Sequence, residues 1–179
     1  MKKFFKIFFV IAILCCCLGC KKEKDSNGSD NNYERGVVIN GVKWATRNVG
    51  APGTFASSLH NYGELYTFEE AQKACPEGWR LPTHQEIEKL AFYTNCEWVT
   101  QYGVSGRLYE SDYKTLFLPA AGYFDYTNDT LLQRNDVGYY WCTGAGGRAA
   151  YFYCRSSNAG GGNYEDIQPK GFSIRCVAE

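Results

Sequence analysis

The sequence predicts an α+β domain, and two observations support that prediction. The segments Thr67-Phe68-Glu69-Glu70 and Thr83-His84-Gln85-Glu86 are capping boxes, which mark the starts of two helices. After Asn95 the chain changes to short aromatic and β-branched segments separated by Gly, Asn and Asp, a pattern typical of strands joined by turns. Two helices followed by an antiparallel sheet with long loops define an α+β domain.

The N terminus has the pattern of an export signal. Three lysines within the first six residues precede an almost uninterrupted apolar stretch that is too short for a stable membrane span. The run Cys17-Leu18-Gly19-Cys20 resembles the lipobox of bacterial lipoproteins, in which the last cysteine is acylated. We therefore expect a signal peptide at residues 1–19 and a lipid anchor on Cys20. A plain secretory signal with an unmodified cysteine is the alternative.

The segment that follows is polar and charged, with no apolar period. Residues 20–34 are rich in Lys, Asp, Asn, Ser and Gly, a composition that cannot bury enough apolar surface to fold. We expect a flexible tether here. The folded domain is then predicted at residues 35–179, which is long enough for one domain with a single core.

The first elements of the domain are predicted from their turn and capping signals. Val37-Val38-Ile39 and Val42-Lys43-Trp44-Ala45 flank the turn Asn40-Gly41, which predicts a tight hairpin. The first helix is expected at about residues 68–74, ending before a proline. The second is expected at about residues 84–93, with apolar residues at three- and four-residue spacing. The later strands are predicted at residues 98–100, 116–118, 137–143, 149–155 and 171–177.

The charge balance excludes one class of partner. The chain has 19 basic and 19 acidic residues, and removal of the three signal lysines leaves 16 basic residues against 19 acidic ones. A mature chain with this slight negative charge is unsuited to a polyanion, so we expect no nucleic-acid partner. The two histidines, His60 and His84, are far apart in sequence and do not indicate a metal site.

The chain is rich in aromatic residues, with 14 Tyr, 11 Phe and 4 Trp. The tyrosines cluster in pairs and alternations in the second half. Because a tyrosine buries its ring while its hydroxyl stays in water, this pattern indicates either half-buried strands or a face on which sugars stack. Half-buried strands are the simpler interpretation.

Several ordered blocks resemble one known family. They are Trp44-Ala45-Thr46-Arg47-Asn48-Val49-Gly50, Cys75-Pro76-Glu77-Gly78-Trp79-Arg80-Leu81-Pro82-Thr83, Leu116-Phe117-Leu118-Pro119-Ala120-Ala121-Gly122-Tyr123, Gly138-Tyr139-Tyr140-Trp141 and Gly171-Phe172-Ser173-Ile174-Arg175-Cys176-Val177. Together they resemble the Fibrobacter succinogenes major paralogous domain. The resemblance implies a C-type-lectin-like fold, in which two helices flank a small twisted antiparallel sheet with long loops. It also implies an exported lipoprotein of a Gram-negative cell envelope.

Five cysteines remain after the signal and the anchor, so at least one thiol is unpaired in an oxidising compartment. The resemblance to C-type-lectin-like domains implies a long-range bridge between Cys75 and Cys176. Cys142 and Cys154 lie on the two strands of a predicted hairpin, and the register decides whether they pair. Cys96 is then the unpaired thiol, expected to be buried as a small hydrophobic residue.

The function predicted first is a noncatalytic binding or adhesion module for a glycan or a protein. Its recognition surface is expected on loops 123–136 and 156–170, because such loops supply adaptable hydrogen bonds and flat aromatic faces. The candidate binding residues are Tyr123, Asp125, Tyr126, Asn128, Asp129, Asn158, Asn163 and Tyr164. The motifs of calcium-dependent sugar-binding lectins are missing, and Gln168-Pro169-Lys170 places a cation where a ligand carboxylate is needed. We therefore expect no metal and no cofactor.

Two alternatives remain open at this point. Arg80-Leu81-Pro82-Thr83 is similar to a segment of formylglycine-generating enzymes, copper-dependent oxidoreductases that use two cysteines, for which Cys142 and Cys154 are the candidates here. The third possibility is a structural accessory subunit of an envelope complex, which exposed aromatic patches would favour. We expect that the protein is not an enzyme. We also expect that it is an outer-membrane lipoprotein, which is held by its lipid and faces either the periplasm or the cell exterior.

Overall fold

The computed structural model describes residues 34–164 and 169–179. The predicted signal peptide, Cys20 and the predicted tether as far as residue 33 lie outside the described residues, and so do residues 165–168 of the second predicted loop. Within the described ranges, no helix is long and apolar enough to cross a membrane.

The described residues form two short α-helices and thirteen short strands. The helices are α1 (Phe68–Ala71) and α2 (His84–Phe92). The strands are β1 (Val37–Ile39), β2 (Val42–Trp44), β3 (Trp79–Arg80), β4 (Asn95–Gln101), β5 (Val104–Ser111), β6 (Lys114–Pro119), β7 (Tyr123–Asp125), β8 (Thr130–Leu132), β9 (Val137–Thr143), β10 (Ala149–Arg155), β11 (Ala159–Asn163), β12 (Lys170–Gly171) and β13 (Val177–Ala178).

The expected α+β, C-type-lectin-like arrangement is wrong. The domain is mainly β, and its strands form four small antiparallel sheets in place of one sheet flanked by two helices. The sheet orders are β1-β2-β13-β3, β4-β5-β6, β12-β7-β8 and β11-β10-β9. The physical reason is that segments with no strong strand signal pair with their neighbours: β5 joins β4 to β6, and the expected loop 123–136 contains the β7–β8 hairpin.

The predicted first hairpin is confirmed. β1 and β2 pair around Asn40 and Gly41, both of which have positive φ angles, 48° and 78°. Two positive φ angles are the requirement of the type I′ turn, which explains why Asn-Gly occupies it. The C-terminal strand β13 then enters this sheet between β2 and β3, because Val177 pairs with both Trp44 and Arg80. The N and C termini of the domain therefore share one sheet.

Both predicted capping boxes are confirmed. At α2, Thr83 accepts a hydrogen bond from the Glu86 amide, and the Glu86 carboxylate accepts one from the Thr83 amide at 2.7 Å. The buried face of α2 contains Ile87, Leu90 and Ala91, as the spacing predicts. α1 is shorter than expected and ends at Ala71. Beyond it the chain continues in tighter turns, in which the Lys73 and Ala74 amides bond carbonyls three residues back.

Strands β9 and β10 occupy the predicted ranges and divide the core into two. Along β9, Tyr140 and Cys142 face a cluster that includes α2, whereas Trp141 faces a second cluster with Phe172. The predicted final strand is only partly correct. Residues 172–176 connect β12 to β13 and form no continuous strand. They make single bridges and loop contacts with other segments, such as the pairing of Phe172 with Tyr66.

The structure contains the disulfide between Cys75 and Cys176, whose sequence separation is 101 residues. The second bridge does not form, and Cys142 and Cys154 are free buried thiols. The register explains this result. Cys142 lies opposite Ala150 and Cys154 lies opposite Gly138, so the two thiols are four positions apart along the hairpin, roughly 13 Å. Cys96 is unpaired as expected, but it is exposed and not buried.

A buried cation connects the two ends of the domain. Arg175 is 1% exposed and donates hydrogen bonds to the Asn48 Oδ1 atom and to the carbonyls of Ala45 and Thr46. Close by, Glu34 accepts hydrogen bonds from Thr46 and forms an ion pair with Arg47 at 3.0 Å, with its side chain 3% exposed. Glu34, the last residue of the predicted tether, therefore makes ordered contacts with the domain.

Candidate functional site

One face of the sheet β11-β10-β9 is covered with aromatic rings. Because side chains alternate along a strand, Tyr139 and Trp141 of β9 share this face with Tyr151 and Tyr153 of β10. Tyr151 lies directly opposite Trp141, and Tyr153 lies directly opposite Tyr139. The opposite face of the same two strands is buried in the core. The sheet therefore presents four rings in two cross-strand pairs.

The third strand of this sheet, β11, has the sequence Ala-Gly-Gly-Gly-Asn and lies at its edge. Gly160 is opposite Tyr153 and Gly162 is opposite Tyr151, so both glycines belong to the aromatic face. A methyl group at Gly160 would lie 3.1 Å from the Tyr153 hydroxyl, which shows that this ring lies across the strand. A methyl group at Gly162 would meet no atom of the described residues within 4 Å. No described residue therefore covers the floor beside Tyr151.

These rings form one side of a concave site of about 350 Å³, which we call the tyrosine pocket. It lies between the sheet β11-β10-β9 and the small sheet β12-β7-β8. The lining residues are Tyr123, Gln133, Tyr139, Tyr151, Asn163, Tyr164, Lys170 and Phe172.

The bottom of the tyrosine pocket is rigidly packed. Phe172 stacks on Tyr139 with ring centroids 5.1 Å apart and an interplanar angle of 19°. It also contacts Trp141 at 4.4 Å, and the Trp141 indole donates a buried hydrogen bond of 2.6 Å to the Tyr66 carbonyl. Tyr164 stands edge-on to Trp141 at 4.9 Å. Because each ring is held by another, the aromatic surface is preformed.

The second wall of the tyrosine pocket comes from β7, β12 and the residue that follows β8. Tyr123 meets Tyr139 edge-on at 5.4 Å, and the Lys170 ammonium lies 5.7 Å from the Tyr123 ring centroid. Gln133 follows β8, and its side-chain oxygen accepts a hydrogen bond of 3.0 Å from the Tyr139 hydroxyl. An amide and an ammonium are thus placed at the rim of an aromatic cavity.

The electrostatics of the tyrosine pocket are those of a hydrogen-bonding site. Among the described lining residues there is no carboxylate and no thiol. Partial burial raises the pKa of Tyr139 above its ordinary value, so its phenol stays protonated at neutral pH. A protonated phenol both donates and accepts hydrogen bonds. The site therefore offers flat apolar rings together with hydroxyl and amide groups.

The structure brings three of the eight predicted binding residues into this pocket: Tyr123, Asn163 and Tyr164. The other five lie outside it. Asp125 ends β7, and Asn128 and Asp129 lie in the turn between β7 and β8; the Asp125 carboxylate accepts hydrogen bonds from Thr127 and Asn128. Tyr126 contacts Leu65 beside a different, more open surface, and Asn158 lies in the turn between β10 and β11.

Five lining residues were missed by the sequence prediction: Gln133, Tyr139, Tyr151, Lys170 and Phe172. A signal for two of them was present, because Tyr139 and Tyr151 occupy alternating positions of the two strands that the sequence predicted with correct bounds. The other three depend on how the β7–β8 hairpin and β12 fold against the sheet. Their positions follow from tertiary structure and not from a local pattern.

Cys142 and Cys154, the two cysteines considered for catalysis, are buried. The Asn135 side-chain oxygen accepts hydrogen bonds from Ser105 and Tyr62. In the described part of the chain, no group of three or more His, Cys, Asp or Glu residues is arranged to hold a metal ion. Burial raises the pKa of Cys142 and Cys154 to about 12. Two separate protonated thiols do not match an oxygen-activating cysteine pair.

The fold and the pocket define a small, mainly β domain with a preformed aromatic cavity between two of its sheets. The sequence model of the Fibrobacter succinogenes major domain family matches residues 23–178. The chain belongs to this family, which confirms the resemblance found in the sequence. Comparison with curated proteins and with solved structures found no match.

Proposed function

We propose that the protein is a noncatalytic binding module of the cell envelope and that the tyrosine pocket is its ligand site. The observation that supports this proposal is the preformed concave surface of five aromatic side chains with Gln133, Asn163 and Lys170 at its margin. Binding sites in proteins are typically cavities of about 300–1,000 Å³, lined by apolar rings and a few polar groups that orient the ligand. The tyrosine pocket has both properties.

The chemistry of the lining favours retention of a ligand over its conversion. General acid–base catalysis needs a group that titrates near the working pH, and nucleophilic catalysis needs an activated nucleophile. The described lining offers phenols, amides, an ammonium and a phenylalanine ring. The raised pKa of Tyr139 makes its phenol a weaker acid and keeps the phenolate that could act as a base scarce near neutral pH. We therefore propose an adhesion or capture role for a glycan or a protein ligand.

The envelope location is part of the proposal and rests on the N-terminal sequence. The basic start, the short apolar stretch and Cys20 are the pattern of a lipoprotein signal. Acylation of Cys20 would hold the domain at the outer membrane, where its disulfide is stable. Growth with an alkyne analogue of palmitate tests this. The full-length protein should take up the label and sediment with membranes, whereas Cys20→Ser should do neither. Equal labelling of both would contradict the anchor.

The binding role is tested with the full-length protein in detergent on oligosaccharide and peptide arrays. Tyr151→Ala removes a lining ring, and Gln133→Ala removes an exposed amide that has no role in the core. We expect each to weaken binding about tenfold or more, the cost typical of a well-placed binding residue. Tyr113→Ala is the matched control, since Tyr113 is fully exposed and distant in the fold.

The outcomes separate clearly. Loss of binding in both pocket variants, with unchanged binding and melting temperature in the control, would support the proposal. Equal binding by all four proteins would show that the ligand does not use the tyrosine pocket. A melting curve for each variant shows whether weaker binding reflects unfolding.

A further inference from the structure

We propose that the ligand is a glycan chain, that two of its sugar units occupy the tyrosine pocket, and that the next unit lies outside the pocket on a strip formed by Tyr153 and the glycine strand β11. This inference rests on the proposed binding function and names its ligand class. It is drawn from the two tyrosines of β10 and the two glycines opposite them.

The strip continues the pocket along β10. Tyr151 lines the pocket, whereas Tyr153, two residues further, lies beyond its lining. Alternate residues on a strand face are about 6.7 Å apart, a spacing on the scale of one sugar unit. The Tyr153 ring lies across Gly160, and the Arg155 guanidinium lies 5.0 Å from its centroid. The ring is half-buried, with Gly160 beneath it and the Arg155 guanidinium over it, so a sugar would meet the remaining exposed part of the ring together with this cation.

The glycines of β11 keep the strip accessible. Any side chain at Gly160 would push the Tyr153 ring away from the strand, because the added carbon would be 3.1–3.2 Å from three atoms of that tyrosine. At Gly162 the residues that the structure describes leave the space open, so a longer side chain would stand beside Tyr151 and cover the floor. A strand of three consecutive glycines weakens a sheet. The same glycines leave the face of the sheet uncovered by side chains.

The chemistry of the strip and the pocket favours a sugar over a peptide. The flat C–H face of a pyranose packs on a tyrosine ring, and its hydroxyls match phenol and amide partners. An extended peptide that added to β11 would bond backbone groups in the plane of the sheet. The space that the described residues leave open is instead above the sheet face, over Gly162 and beside Tyr151, which suits a ligand that packs on a ring.

The test measures how affinity depends on chain length. Full-length protein in detergent is titrated calorimetrically with hexasaccharides of β-1,4-linked glucose, xylose, mannose and galacturonate, and with the matching disaccharides. For the sugar that binds, we expect the hexasaccharide to bind roughly three- to tenfold more tightly than the disaccharide, the gain of one further aromatic contact. Tyr153→Ala and Gly162→Leu should each abolish this gain. The affinity of Tyr153→Ala for the disaccharide should be unchanged. Tyr113→Ala should keep the gain.

The other outcomes would refute the strip, the ligand class or the binding function. A disaccharide and hexasaccharide of equal affinity, or an unchanged gain in both strip variants, would refute the strip and leave the pocket as the site. Binding of peptides but of no sugar, lost in Tyr151→Ala, would refute the ligand class while the binding function stands. Binding that Tyr151→Ala does not weaken would refute both proposals.

Discussion

The disulfide between Cys75 and Cys176 gives the most quantitative prediction. Cys75 follows the turns after α1, and Cys176 directly precedes β13, the strand inserted between β2 and β3. The bridge thus connects the helical segment to the sheet that holds both termini. The two cysteines are separated by 101 residues, so reduction releases a long loop in the unfolded chain.

The expected magnitude follows from loop closure. In the chain-entropy model, a loop of about 100 residues contributes about 4.7 kcal/mol to stability at 25 °C. A domain of this size loses roughly 2–4 °C of melting temperature per kcal/mol. Cys75→Ser should therefore lower the melting temperature by roughly 10–20 °C under oxidising conditions, in which the wild-type bridge is formed.

The assay is thermal unfolding followed by circular dichroism. Wild type, Cys75→Ser and the double variant with Cys176→Ser are compared, because either substitution opens the same loop and the two should unfold within a few degrees of each other. Cys96→Ser is the matched control, since this thiol is free and exposed. A decrease of less than about 4 °C in Cys75→Ser, or an unchanged melting temperature after reduction of the wild type, would refute the reasoning.

Three further predictions concern thiols, one ion pair and the buried cation. Brief alkylation of native protein should modify Cys96 but leave Cys154 unmodified until unfolding, because burial raises the pKa of Cys154 to about 12; peptide mass spectrometry measures both. Glu86→Gln should cost about 0.5–1 kcal/mol at pH 7 in urea unfolding. Its hydrogen bonds with Arg80 lower the pKa of Glu86 to about 2, so the wild-type advantage is complete above pH 4.5 and is lost as the pH falls toward 2. Arg175→Met should cost about 3 kcal/mol or more, since two buried acceptors and one partly buried acceptor lose their donor.

Controls and contrary results are defined for each of these. Cys142 should be protected like Cys154, and rapid labelling of either in the native protein would contradict their burial. A cost of Glu86→Gln that does not change between pH 7 and pH 2 would show that the carboxylate charge is unimportant. Arg175→Lys should not restore the lost stability, because an ammonium cannot reach the same acceptors as a planar guanidinium. A cost below 1 kcal/mol for Arg175→Met would contradict the network.

Local signals predicted the elements well where the signal and the contacts belong to the same few residues. The capping boxes at Thr67 and Thr83 form as predicted, since each is completed within four residues. The Asn40-Gly41 turn fixes the first hairpin for the same reason. β9 and β10 were predicted with correct bounds because apolar and aromatic residues fill both faces of these buried strands.

The candidate site was predicted less well. Tyr123, Asn163 and Tyr164 were selected from loops, and the structure does place them in the tyrosine pocket. The ring surface itself was missed. Tyrosine alternation alone is compatible with half-buried strands and with a sugar-stacking face, and only the position of the neighbouring sheet shows that the rings border a cavity. Whether Cys142 and Cys154 form a bridge could not be predicted for a similar reason. The strand register decides whether the two cysteines lie opposite each other, and several registers were possible.

The sequence by itself determined the family, the helix starts, the first hairpin and the two central strands, because these depend on residues that are close in the chain. Only the tertiary structure decided that the domain is mainly β, with four small sheets, and that the β7–β8 hairpin and β12 close a pocket over β9 and β10. The physical reason is that pairing between distant strands depends on backbone hydrogen bonds, which are nearly independent of residue type, and on side-chain packing between segments far apart in sequence.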